Sequence, residues 1–311
     1  MTPQQRRTAA LRRFAFGIST LTVVGHALLG LEQSWLQVAV SLATCYAVEL
    51  ALETVEARSA RRPVRFRGGP RPLVDFLLPA HITALAIALL LYPGDRLWPI
   101  VLAGVVAVGS KSVFRAPVGK SSRHFLNPSN FGMAVVLLSF PSVGIAPPYH
   151  FTENVGGWGD WAVPAVVLLT GTLLNVKLTG KVPLIIAWLG AFALQAVVRH
   201  VLFDVSLTAA LLPMTGMAFL LFTFYMVTDP GTTPIAKRSQ VAFGASVAAV
   251  YGVLTALHVV FGLFFALAIV SAVRGVSLHA LARARASEAA APAGREVGLA
   301  APALGPGAPV R

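Results

Sequence analysis

Two short polar segments interrupt an otherwise apolar chain, and both have the residue pattern of a helix start. Asn127 is followed by Pro128, and Asp229 is followed by Pro230. An Asn or Asp side chain caps the first backbone amides of a helix, and proline suits the first helical position because no amide donor is needed there. The pattern predicts that Asn127 caps one helix and that Asp229 caps another, which runs to His258.

The two predicted helix starts have the chemistry of a ligand site. A helix start presents partial positive charge, which suits a phosphate, a carboxylate or an electron-rich carbonyl. Cationic and hydrogen-bonding side chains flank both starts, and the candidate cofactor-binding residues are Lys120, Arg123, Asn127, Ser129, Asn130, Asp229, Thr232, Thr233 and Lys237. The set suits a phosphorylated aromatic ligand. The residues alone leave open the alternative of ordinary helix caps and basic membrane anchors.

The composition identifies the elements that must position these residues as membrane helices. Of the 311 residues, 56% are hydrophobic and 12% are charged, and the mean hydropathy is +0.73. Apolar runs long enough to cross a hydrocarbon core of about 30 Å recur along the chain. They predict an all-α integral membrane protein with about ten transmembrane helices, some short or broken. The predicted spans are 14–31, 35–52, 72–92, 97–110, 125–141, 161–176, 182–198, 205–228, 240–257 and 259–274.

The basic residues predict an orientation in the cell membrane. All Lys and Arg residues except Arg96 and Arg199 fall in segments that this topology puts on one side. By the positive-inside rule, both termini are predicted to be cytoplasmic. Because the basic residues flank the apolar runs, the bilayer is the expected partner and nucleic acid is not. The predicted parts are a basic cytoplasmic N-terminus at 1–13, a membrane domain at 14–275 and a disordered cytoplasmic tail at 284–311.

Few other residues have the types and spacing of a reaction centre. Cys45 is the only cysteine, which excludes a cysteine-built zinc or iron–sulfur site within the chain, and no metal-binding, catalytic or hydrolase pattern occurs. His26 and His81 could ligate a haem, but their predicted depths differ, which favours hydrogen-bonded interior histidines. Glu49 lies within a predicted span. It could serve ion or proton passage, or it could pair with a buried group such as Lys111 or His81.

Three stretches around the two polar segments follow one another in a characteristic order. They read "RHFLNPSNFGMAVVLLSFP" at 123–141, "LTGTLLNVKLTGKVPL" at 169–184 and "TFYMVTDPGTTP" at 223–234. These stretches resemble the membrane family that contains RnfD and NqrB, the flavin-carrying subunits of the Rnf and Nqr redox complexes. The resemblance implies an RnfD/NqrB-like fold, FMN or riboflavin as the cofactor, one-electron transfer and redox partner subunits. It also implies that the candidate residues hold the flavin.

One family motif is missing from the chain. In RnfD and NqrB, a threonine in a Ser-Gly-Ala-Thr motif after the span that ends in Phe-Pro carries FMN through a phosphoester. Here, the only threonine that closely follows Phe140-Pro141 is Thr152, whose neighbours do not match. The expected flavin is therefore bound non-covalently, in an electron-transfer subunit whose enzymatic role stays open.

A narrower resemblance concerns the length and the high Ala, Arg, Gly and Pro content. Both are similar to those of the stand-alone, UnbU-like members of the family, which are encoded beside enediyne polyketide pathways. This resemblance implies service to a specialised biosynthetic pathway rather than to a respiratory pump. The alternative function is a transporter or channel for a small solute or pathway product, which would use the same broken-helix site.

Overall fold

The computed structural model describes residues 3–119, 121–146 and 156–290. Helices dominate these residues, which agrees with the predicted all-α class. The α-helices are α1 (Pro3–Val24), α2 (Trp35–Ser59), α3 (Pro70–Leu90), α4 (Trp98–Val113), α5 (Pro128–Ser139), α6 (Gly159–Leu174), α7 (Val182–Phe203), α8 (Leu207–Leu211), α9 (Met217–Leu221), α10 (Lys237–Ala256) and α11 (Gly262–Ala290). The strands are β1 (Leu91–Tyr92), β2 (Arg115–Val118), β3 (Ser121–His124) and β4 (Gly144–Ile145).

Within the residues that the structure describes, three helices end in a wider, π-helical turn, in which each amide bonds the carbonyl five residues back. These turns are Gly25–Leu29 after α1, Asn175–Thr179 after α6 and Phe222–Met226 after α9. A 3-10 turn, Leu212–Thr215, follows α8. Two of the π-helical turns, those after α6 and α9, belong to the stretches that carry the family resemblance.

The helices are those of a multi-pass membrane protein, but fewer qualify as spans than the sequence predicts. Within the described residues, six are long and apolar enough to cross: α2, α3, α6 with its π-helical turn, α7, α10 and α11. The pair α8 and α9, bent by 65°, would make a seventh. The ten predicted segments all overlap helices. However, α4 and α5 have only 16 and 12 residues, or about 24 Å and 18 Å at 1.5 Å per residue.

The predicted domain ends also differ from the structure. Helix α1 begins at Pro3, so most of the predicted N-terminal segment 1–13 is helical and carries Arg12 and Arg13 inside the helix. Helix α11 continues to Ala290, so the first residues of the tail predicted at 284–311 are helical. The rest of that tail lies outside the described residues.

The strand pairs identify the two ends of the bundle. At one end, β1 pairs antiparallel with β4, so α3 and α5 finish side by side. At the other end, which we call the hairpin end, β2 and β3 pair and connect α4 to α5. Helix α4 therefore runs from one end of the bundle to the other and α5 returns, despite their shortness. Their backbones touch, because a Cβ on Gly132 would lie 2.3 Å from the carbonyl oxygen of Ala103.

Candidate functional site

The two Asx-Pro segments meet at the hairpin end. The side-chain amide of Asn127 donates to the carbonyl oxygen of Met226 over 3.3 Å, across 99 positions of sequence. Nearby, a Cβ on Gly231 would lie 3.3 Å from Nε2 of His124, at the end of β3. The residues predicted from the two segments are thus neighbours in space.

The first predicted helix start is confirmed. Helix α5 begins at Pro128, and Oδ1 of Asn127 accepts from the backbone amide of Asn130 and from the hydroxyl of Ser129, both over 3.0 Å. Asn127 is buried, so this cap satisfies an amide that solvent does not reach. The local pattern was sufficient here because an N-cap and its partner are close in sequence.

The second predicted helix start is wrong. Helix α10 begins only at Lys237, and among the described side chains none caps it. Asp229 instead closes a turn in the loop 229–236, where its Oδ1 accepts from the amide of Gly231 over 2.9 Å and its Oδ2 from the hydroxyl of Thr232 over 3.0 Å. A helix from Pro230 would meet Pro234 one turn later, and Pro234 has no amide to donate.

Two asparagines satisfy carbonyl groups at the π-helical turn Phe222–Met226. Asn127 donates to Met226, and the buried Asn175 donates over 2.9 Å to the carbonyl oxygen of Phe224 and over 2.9 Å to that of Gly171. Asn175 lies near the end of the predicted span 161–176, where a polar residue is typically a cap or an anchor. In the structure it is an interior link between the end of α6 and the end of α9.

Two cations that the sequence analysis did not select hold the loop 229–236. The ammonium of Lys181, only 3% exposed, donates over 2.6 Å to the carbonyl oxygen of Pro234. The guanidinium of Arg274, on α11, donates over 2.6 Å to that of Thr232. Lys181 lies between two membrane-spanning helices, and burial lowers its pKa to about 8, partly opposed by the charge of Asp229. The only sequence signal for Lys181 was its position inside the second family-like stretch.

The remaining candidates divide into buried and exposed groups. Thr233 is buried and donates over 2.6 Å to the carbonyl oxygen of Asp229. Asn130 is 1% exposed and donates over 2.9 Å to the carbonyl oxygen of Phe264 on α11, whereas its Oδ1 has no partner among the described residues. Arg123 and Lys237 are exposed. Lys120 and Thr152 lie outside the described residues.

A flavin could bond only to side chains whose hydrogen-bonding groups are not already used within the protein. The side chains of Asn127, Ser129, Asp229, Thr232 and Thr233 bond within the protein. The imide N–H of a flavin ring needs an acceptor, and the buried, unpaired Oδ1 of Asn130 is of that kind. The exposed Arg123 and Lys237 suit a phosphate. Among the candidate residues, the groups that keep a chemistry suited to a flavin are therefore Oδ1 of Asn130, Arg123 and Lys237.

The histidine and glutamate alternatives are also decided by contacts. Both ring nitrogens of His81 are bonded, Nε2 to the hydroxyl of Ser19 over 2.7 Å and Nδ1 to that of Tyr46 over 2.6 Å. His81 is thus a hydrogen-bonded interior histidine, as the sequence favours. Glu49 pairs with Lys111, which was one of the two alternatives for this residue.

The sequence was also compared with known proteins. No family model matches the chain, and no curated protein matches it.

Proposed function

We propose that this chain is a membrane electron-transfer subunit, resembling RnfD and NqrB, that binds FMN or riboflavin non-covalently at its hairpin end. The observation that carries the proposal is the bond between Asn127 and Met226, which joins two of the three family-like stretches. The bond brings the two polar segments to one end of the bundle, where a single ligand could contact both. Partner subunits and service to an enediyne-type pathway belong to the same proposal.

Lys181, Arg274 and the loop 229–236 form what we call the junction. Its charge supports an anionic or reducible ligand. Lys181 lies within electrostatic reach of both Arg274 and Asp229, so the described residues contribute two cations against one carboxylate. A surplus of positive charge in a poorly hydrated site stabilises a phosphate or a reduced, anionic flavin. When bound, the flavin would supply the one-electron chemistry.

The chain's own residues would bind and orient this group. Oδ1 of Asn130 would accept from the ring imide, and Arg123 would neutralise a phosphate. Asn127 and Asp229 would act indirectly, because their bonds fix the first turn of α5 and the loop 229–236.

The topology belongs to the same proposal. We infer that all ten helical segments cross or enter the bilayer, with the hairpin end and both termini in the cytoplasm of the cell. Support comes from the strand pairs, which put the two ends of α4 at opposite ends of the bundle. It also comes from the basic residues at the hairpin end, among them Arg115, Lys181 and Lys237.

The test is to purify the full chain in mild detergent, record its visible spectrum and then denature it. We expect a flavin spectrum and a flavin that leaves the polypeptide on denaturation. For bound FMN, Arg123→Gln should lower the flavin content, whereas Arg96→Gln, at the opposite end, should not. Preparations that stay colourless after supply with FMN and riboflavin would overturn the proposal.

A solute transporter is the second candidate, because the pair α8 and α9 is bent by 65°. Broken helices of this kind line substrate sites in transporters. Uptake of a solute into vesicles by protein free of any chromophore would favour this function over electron transfer.

A further inference from the structure

Helices α7 and α10 run parallel and touch along their length. A Cβ on Gly244 would lie 2.6 Å from the carbonyl oxygen of Leu184, and one on Gly252 would lie 3.1 Å from Cβ of Gln195. Both helices therefore begin at the hairpin end. Beside the first contact, at the N-terminal ends of both helices, the surface forms an open groove.

The walls of the groove are apolar and partly exposed. They include Val182, Pro183, Ile186 and Val241, of which Ile186 is 66% and Val241 46% exposed. Of the lining residues in the described part of the chain, Lys237 alone has a polar side chain. A flavin ring here would leave its carbonyls and imide unpaired, whereas an acyl chain needs no hydrogen bond.

The mouth of the groove is positively charged. Lys237 lines the groove and is exposed, and two further exposed cations are close to lining residues in sequence, Arg238 beside Lys237 and Lys177 three positions before Gly180. The first turns of α7 and α10 contain no acidic residue, and the described side chains include no cap for either. The partial charges of these two helix starts therefore add to those of the basic side chains.

We propose that this groove is a binding site for an anionic phospholipid, with an acyl chain along α7 and α10 and the phosphate at Lys237. The apolar walls fit the chain, and the positive mouth favours an anionic over a zwitterionic headgroup. The proposal goes beyond electron transfer and does not depend on a bound flavin.

Native mass spectrometry of the purified full chain tests the headgroup preference. The protein in detergent is titrated with phosphatidylglycerol or with phosphatidylcholine. We expect the wild type to retain phosphatidylglycerol several-fold more strongly than phosphatidylcholine. Lys237→Gln should abolish this difference by lowering the retention of phosphatidylglycerol, while the retention of phosphatidylcholine stays unchanged. Arg96→Gln, which removes an exposed cation at the opposite end, is the matched control and should behave as the wild type.

A second variant tests the groove itself. Val241→Trp fills the groove and leaves Lys237 intact, so it should lower phosphatidylglycerol retention several-fold. Val241 is half-exposed, and circular dichroism with gel filtration verifies that both variants fold. Equal retention of the two lipids by the wild type, or the same loss in Arg96→Gln as in Lys237→Gln, would overturn the proposal. So would unchanged phosphatidylglycerol retention in Val241→Trp.

Discussion

The side-chain amide of Asn127 donates to the carbonyl oxygen of Met226, and this bond holds the start of α5 against the π-helical turn that ends α9. A carbonyl in a π-helical turn can lose its usual helical partner, so the amide provides a donor in a place that water does not reach. The same side chain caps α5 through its Oδ1. One residue thus joins two helix ends.

Asn127→Asp should remove the bond to Met226 while keeping the cap of α5. The carboxylate keeps the acceptor for the amide of Asn130 but loses the donor, and it turns an oxygen toward the carbonyl of Met226. We expect a loss of about 1–3 kcal/mol in the free energy of unfolding, since a buried carbonyl is left unpaired. Thermal unfolding in detergent measures it. Ser277→Ala, which removes an exposed hydroxyl that bonds only its own helix, is the control and should change little.

Local patterns in the sequence were sufficient for the helices and for the cap at Asn127. Each of these features depends on residues within a turn or two of one another. The predicted cap at Asp229 failed for a reason that was also local, since Pro234 prevents the helix that Pro230 would begin. Fewer helices qualify as spans by length and composition than the ten predicted, because apolarity does not reveal that α5 has only 12 residues.

The interior links could not be predicted because their partners are far apart in sequence. Asn175 bonds a residue 49 positions away, Lys181 one 53 positions away and Arg274 one 42 positions away. A lysine or arginine at the end of a span is ordinarily a membrane anchor. Only the packed structure distinguishes a buried cation that holds a loop from an exposed one that faces lipid headgroups.

The buried Lys181 predicts a pH dependence of stability. Its pKa is lowered from 10.5 to about 8 by burial, so between these values the unfolded chain binds more protons than the folded protein. The free energy of unfolding should therefore rise through this range relative to Lys181→Met. Unfolding midpoints in detergent at several pH values test the difference. The exposed Lys177→Met should give a curve parallel to the wild type, and a parallel curve for Lys181→Met would contradict the prediction.

Contact between α7 and α10 predicts that Gly244 tolerates no side chain. Gly244→Ala would bring a methyl group 2.6 Å from the carbonyl oxygen of Leu184, and overpacking of this kind costs about 1–3 kcal/mol. Gly190→Ala on α7 is the control, since nothing lies within 4 Å of its Cβ position, and it should be neutral or stabilising by up to about 1 kcal/mol. Equal unfolding temperatures for both variants would contradict the close approach.

The pair of Glu49 and Lys111 predicts non-additive effects. Both side chains are largely buried, at 16% and 15% exposed, so Glu49→Gln should cost about 3 kcal/mol by leaving an uncompensated cation. The double variant Glu49→Gln with Lys111→Met should recover most of this loss. The more exposed pair of Arg12 and Asp75 is the comparison, and its removal should change the free energy of unfolding little, because water screens an exposed ion pair. Additive losses at Glu49 and Lys111 would disprove the coupling.

Arg274 allows a test of how the junction would act on a bound flavin. Arg274→Gln removes one of the two cations that hold the loop 229–236, while the amide of glutamine can still donate toward the carbonyl of Thr232. On the proposed function, a less positive site stabilises a reduced, anionic flavin less, so the reduction potential should fall. Spectroelectrochemistry of the purified variant measures it. Arg283→Gln, at an exposed position farther along α11, is the control and should leave the reduction potential unchanged. An unchanged reduction potential in Arg274→Gln would show that the flavin does not bind near this junction.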